Sequence, residues 1–147
     1  KCVGCGRCIG ICNFDAIKSP NDEAVDILNK KMAEYALAVV KDRPQFHISL
    51  ICDVSPNCDC HAENDAPIVP NIGMLASFDM IALDKACADL VNAQIPFENS
   101  HLGEQIKNDV KESDNFHINH PETHWESQIE HGEKIGLGTS EYELIKI

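Results

Sequence analysis

The chain has 147 residues, 24 acidic against 12 basic, for a formal charge of −12, with 44% of positions hydrophobic and 5% aromatic. That length and apolar content suit one ordinary globular domain, or a small cofactor lobe joined to a larger one. No apolar run approaches the roughly 18 residues needed to cross a bilayer, so no membrane span is expected. Residues 51–147 carry 18 acidic and 5 basic groups while residues 1–50 are nearly balanced at 6 and 7. Phosphate binding draws on clustered Lys and Arg, so nucleic acid is not an expected partner.

In chain order, residues 1–18 form a Cys/Gly-rich loop that closes on the apolar pair Ala16-Ile17. Ser19-Pro20-Asn21-Asp22 supplies turn and cap chemistry. After it Val25, Leu28, Met32, Tyr35, Ala36 and Val39 recur at helical spacing, predicting an amphipathic helix over 23–41. Arg43-Pro44 ends it, and residues 46–54 (FHISLICDV) predict a largely buried strand. A loop over 55–70 leads to a second strand within 71–78, containing Gly73. Asp79 then caps a helix over 80–93 whose apolar stripe is Leu83, Cys87, Leu90 and Val91. The polar stretch that follows lasts to Pro121, a good first-turn residue for a helix ending near Gly136, and residues 142–147 predict a final strand.

The strongest chemical signal is Cys2-Val3-Gly4-Cys5-Gly6-Arg7-Cys8-Ile9-Gly10-Ile11-Cys12, or C-x2-C-x2-C-x3-C. A cubane iron–sulfur cluster needs a thiolate at each iron, and two-residue spacers let one short loop wrap round it. Zinc prefers two separated C-x2-C knuckles, and a disulfide scaffold spreads its cysteines along a shorter secreted chain, so both fit this run poorly. Clustered thiols of this kind suit a reducing compartment, and a cytoplasmic location is expected.

Residues 2–17, CVGCGRCIGICNFDAI, resemble half of a bacterial-type ferredoxin, with Asn13 in place of the proline that usually follows the fourth cysteine. Proline stiffens the chain there but supplies no ligand. The resemblance implies a [4Fe–4S] cluster on Cys2, Cys5, Cys8 and Cys12. In two-cluster relatives the fourth cysteine serves the other cluster, so two clusters in the intact protein, with Cys12 on the neighbour, stay open.

The second cysteine group is Cys58-Asp59-Cys60-His61, between Ser55-Pro56 and Asn64-Asp65. Together with the segments SPNCDCHAENDAPIVPNIGMLASFD and KIGLGTSEYELI, it is similar to the iron–sulfur-centre proteins grouped as domain of unknown function 362. Cys58, Cys60 and His61 offer soft and borderline donors for a second metal or a substrate site; a hydrogen-bonded turn with buried thiols is the competing reading. Cys52 and Cys87 are expected in the core. His117, His120 and His124 lie close in sequence, but Pro121 spoils the four-residue spacing that a shared metal face needs.

The expected architecture is α/β: a mixed sheet with flanking helices, preceded by a ferredoxin-like iron–sulfur loop segment. Residues 1–20 are expected to be half of a two-motif module and residues 21–147 the C-terminal part of an α/β domain, the whole being a fragment. The expected function is electron transfer through the [4Fe–4S] cluster to a redox partner protein or an internal redox site. A metal-dependent oxidoreductase around Cys58, Cys60 and His61, or a purely structural cluster, are the alternatives.

Overall fold

The computed structural model describes residues 7–12, 16, 24–58, 64–108 and 112–147. The α/β class holds. Its elements are α1 (Arg7–Gly10), α2 (Ala24–Val40), β1 (His47–Ile51), β2 (Gly73–Ser77), α3 (Met80–Asn92), α4 (His101–Lys107), α5 (Asn115–Asn119) and α6 (Glu126–Lys134).

Among the described residues the sheet is a single antiparallel pair, with His47 opposite Ser77 and Ile51 opposite Gly73. α3 covers one face of it. The other face carries Phe46, Ile48, Leu50, Met74 and Phe78, all exposed, with the Phe46 and Phe78 rings 5.1 Å apart. The largely buried strand expected over 46–54 is thus half-buried and ends at Ile51, which leaves Cys52 exposed rather than in the core.

α3 joins two apolar clusters. Its Val91 packs with Ile51, Ile68, Val69, Leu102 and Ile118, while its Ile81 packs with Ala33, Ile129 and Leu137. Asp79 starts this helix: Oδ1 accepts the Ile81 and Ala82 main-chain N–H groups at 2.9 and 3.0 Å, satisfying donors that the first turn leaves open. Cys87 sits half-buried against the first cluster, as expected for the apolar stripe. Burial pushes its thiol up in pKa; a hydrogen bond with Ser49 opposes this, and the charge of Asp84 adds to it.

α2 lies on α6 through Ala33, Ala36, Leu37 and Val40, whereas Leu28, Met32, Tyr35 and Val39 are exposed. Of the expected stripe, Leu28, Met32, Tyr35 and Val39 therefore lie outward, while Ala36 packs inward. Polar links fix the rotation: Asn29 Nδ2 donates to His124 O and Ser127 Oγ at 2.8 and 3.0 Å, His124 pairs with Asp26, and His131 pairs with Glu34, both at 3.0 Å.

The expected polar stretch contains α4 and α5, both begun by side-chain caps, Ser100 on Gly103 N and Asp114 on Phe116 N and His117 N. The helix expected from Pro121 begins at Glu126, because Thr123 and Ser127 turn the chain back on His120 and His124 carbonyls first. It ends at Lys134, as expected near Gly136, whose φ of 78° falls in the left-handed region that glycine enters without strain. Among the described residues no ladder forms over 142–147, so the expected final strand is not found there. That tail is held instead by side chains: Asp79 Oδ2 accepts from Thr139 N, Glu133 Oε1 from Ser140 N, and Asp89 Oδ2 from the Tyr142 hydroxyl. No described helix is long and apolar enough to cross a membrane.

Candidate functional site

Two of the four opening cysteines fall among the described residues. Cys8 is exposed on α1 and Cys12 is half-buried just past it. Ile11 N donates to Arg7 O at 3.1 Å, so the helical turn continues between them. Ile11 stands 75% exposed between them, leaving apolar surface beside the thiols. Cys2 and Cys5 lie outside the described residues.

The second cysteine loop grows out of the sheet. After β1 the chain leaves at Cys52, turns through Asp53 at φ 49°, and returns where it left: Ile68 N bonds Val54 O at 2.8 Å and Ile72 N bonds Ile51 O at 2.9 Å. Asn71 Oδ1 accepts from the Asp53 N–H at 2.8 Å, an anchor for a left-handed residue that is not glycine. Asn64 closes the neck, with Oδ1 accepting from Asn57 N and Nδ2 donating to Asn57 O at 3.2 and 3.1 Å. Within this neck Cys58 is exposed; Asp59, Cys60 and His61 lie outside the described residues.

The loop is braced from α5. The carbonyl of the buried Pro56 accepts from Asn119 Nδ2 at 2.6 Å and from His120 Nε2 at 2.7 Å. A carbonyl can only accept, so Nε2 carries the proton, and His120 Nδ1 is left facing Glu122 at 3.3 Å. His101 Nδ1 meets Asn119 Oδ1 at 2.9 Å; since Asn119 donates through its amide nitrogen, His101 is the donor there. Between brace and loop lies an open cavity of about 600 Å3, lined by Cys58, Asp53, Ser55, His120, Glu122 and Thr123 among others. Cys58 thus shares a cavity with a histidine 62 positions later in the chain, which the local spacing did not reveal.

A family model, Domain of unknown function (DUF362), matches residues 5–89. The chain belongs to this family. No curated protein and no solved structure matches it. The DUF362 segment takes in α1, α2, both strands, the Cys58 loop and most of α3. The residues that brace Pro56, from α5 and its end, lie beyond it.

As expected, the three nearby histidines do not converge: His120 turns to Pro56, His124 to Asp26 on α2, and His117 to Glu126 on α6. What sequence reasoning missed is that Asp114, His117 and Glu126 come together, each with one donor atom within 4.8 Å of the others. The signal present was Asp114 three positions before His117; Glu126 arrives only through the turn at 121–125.

Proposed function

We propose that the chain is an iron–sulfur electron-transfer protein in which Cys2, Cys5, Cys8 and Cys12 hold a [4Fe–4S] cluster. The carrying observation is the C-x2-C-x2-C-x3-C spacing, four soft thiolate donors within eleven residues. The exposed Cys8 and the helical turn leading to Cys12 fit that use. When bound, such a cluster supplies reversible one-electron chemistry. The chain's own share is to hold iron through the thiolates, to shield one side with apolar groups such as Ile11, and to set the surrounding charge. Excess carboxylate after residue 51 disfavours an added electron nearby and favours a basic docking face on a redox partner. This chemistry suits a reducing, cytoplasmic setting.

A second reading is favoured by one observation, the exposure of Cys58 to a cavity shared with His120 and Glu122. In it Cys58, with Cys60 and His61, lines a metal or substrate site supplied with electrons by the cluster. One preparation tests both. Anaerobically purified protein should contain about four iron and four sulfide per chain and show a low-temperature EPR signal on reduction. Stoichiometric zinc with no reducible centre would end the electron-transfer reading. A further metal lost on Cys58→Ser substitution would favour the second.

A further inference from the structure

We propose that Asp114, His117 and Glu126 form a binding site for a first-row divalent cation with nitrogen and oxygen ligands. It is separate from every cysteine discussed above and does not depend on the cluster.

The His117 side chain lies between α5 and α6. Its Nε2 is buried and makes no hydrogen bond among the described residues, although Glu126 Oε2 is only 3.2 Å away. A buried polar atom left in this state is destabilising, so a partner is expected for it. The 3.2 Å separation, poor as a hydrogen bond here, is a good polyhedron edge: metal bonds of about 2.0–2.2 Å set adjacent ligands about 3.0–3.5 Å apart.

The third donor is well positioned by its neighbours. Asp114 Oδ1 accepts from the Phe116 and His117 main-chain N–H groups at 2.8 and 2.9 Å, and Oδ2 accepts from Asn92 Nδ2 at 2.6 Å. Such partners orient a ligating carboxylate. The fourth contact, from Trp125 Nε1 at 3.2 Å, is the longest and is the one a cation would displace.

Access is on the side of Glu126, whose side chain is 43% exposed; the open cavity of about 320 Å3 that His117 borders is lined by neither Asp114 nor Glu126. Three protein donors leave coordination positions for water. One imidazole and two carboxylates, without a thiolate, favour Mn2+, Fe2+ or Zn2+ over soft Cu(I).

The test uses Mn2+, because it prefers nitrogen and oxygen donors and so discriminates against the eight thiols of the chain. Titration of the full chain, followed by the EPR signal of free Mn2+, should show one bound ion per chain. Glu126→Gln and His117→Gln should each weaken binding at least about tenfold, while Glu130→Gln, on the same helix but outside the site, should leave it unchanged. Circular dichroism checks that each variant is folded; Glu126 is 43% exposed, so its isosteric replacement leaves packing intact. Binding by the native chain weaker than about 1 mM, or equal affinity in the folded Glu126→Gln variant, overturns the site.

Discussion

At the residue scale, Asp79 carries the most. One carboxylate starts α3 and fastens the tail at Thr139, and a Cβ placed on Gly138 would lie 2.1 Å from its Oδ1. Asp79→Ala should lower stability by about 1–2 kcal/mol, the usual cost of a lost N-cap. Gly138→Ala should destabilise by pushing the same carboxylate off its donors. The double variant should lose less than the sum in urea unfolding, because both changes remove one interaction. Tyr142 offers a pH test. Its pKa is raised, first by the hydrogen bond its hydroxyl donates to Asp89, then by burial and the carboxylate's charge. A group raised on folding stabilises the fold below its unfolded value of about 10 and loses that contribution as pH climbs through the folded one. Ultraviolet difference titration should place the Tyr142 midpoint above that value, and Asp89→Asn should bring it down. Asp79 and Gly136 were legible in the sequence because cap and stop chemistry is local. The exposure of Cys52 was not, since it depends on where the partner strand runs out.

At the element scale, the brace between α5 and the Cys58 loop rests on one carbonyl taking two donors. Asn119→Ala removes the buried amide that bonds Pro56 O, and should cost about 1–3 kcal/mol. Amide hydrogen exchange should quicken most at residues 53–58, with α3 little affected in comparison. α2 illustrates why a periodic pattern gives the helix but not its inner side. Two apolar stripes run along it, and the one bearing larger side chains drew the expectation outward. Asp26, Asn29 and Glu34, bonded to His124, Ser127 and His131, select the smaller stripe instead. That choice was unreadable locally because every partner lies about 95 positions away. α4 and α5 were missed for a different reason. They are five to seven residues long, too short for a periodic signal, and their Ser100 and Asp114 caps were the only marks available.

At the scale of the molecule, α3 makes two apolar clusters into one structure by placing Val91 in one and Ile81 in the other. Leu102, fully buried in the first, should cost about 2–5 kcal/mol on truncation to Ala. Trp125 packs on the second cluster with its ring 6.0 Å from Phe116 of the first, so its fluorescence reports on the junction between them. Denaturant curves followed by Trp125 emission and by circular dichroism should shift together for Leu102→Ala, as a single cooperative unit requires. The α/β class and most element positions followed from alternation and cap residues. The antiparallel pairing and the lack of a ladder over 142–147 among the described residues did not, since an extended apolar segment looks the same whether or not a neighbour offers it a ladder. The double-acceptor carbonyl of Pro56 has one more implication. Its donors come from beyond residue 89, where the family match stops. A chain that shared residues 5–89 but continued differently would have to strut this loop another way, so the mouth beside Cys58 owes its shape to residues outside the matched segment.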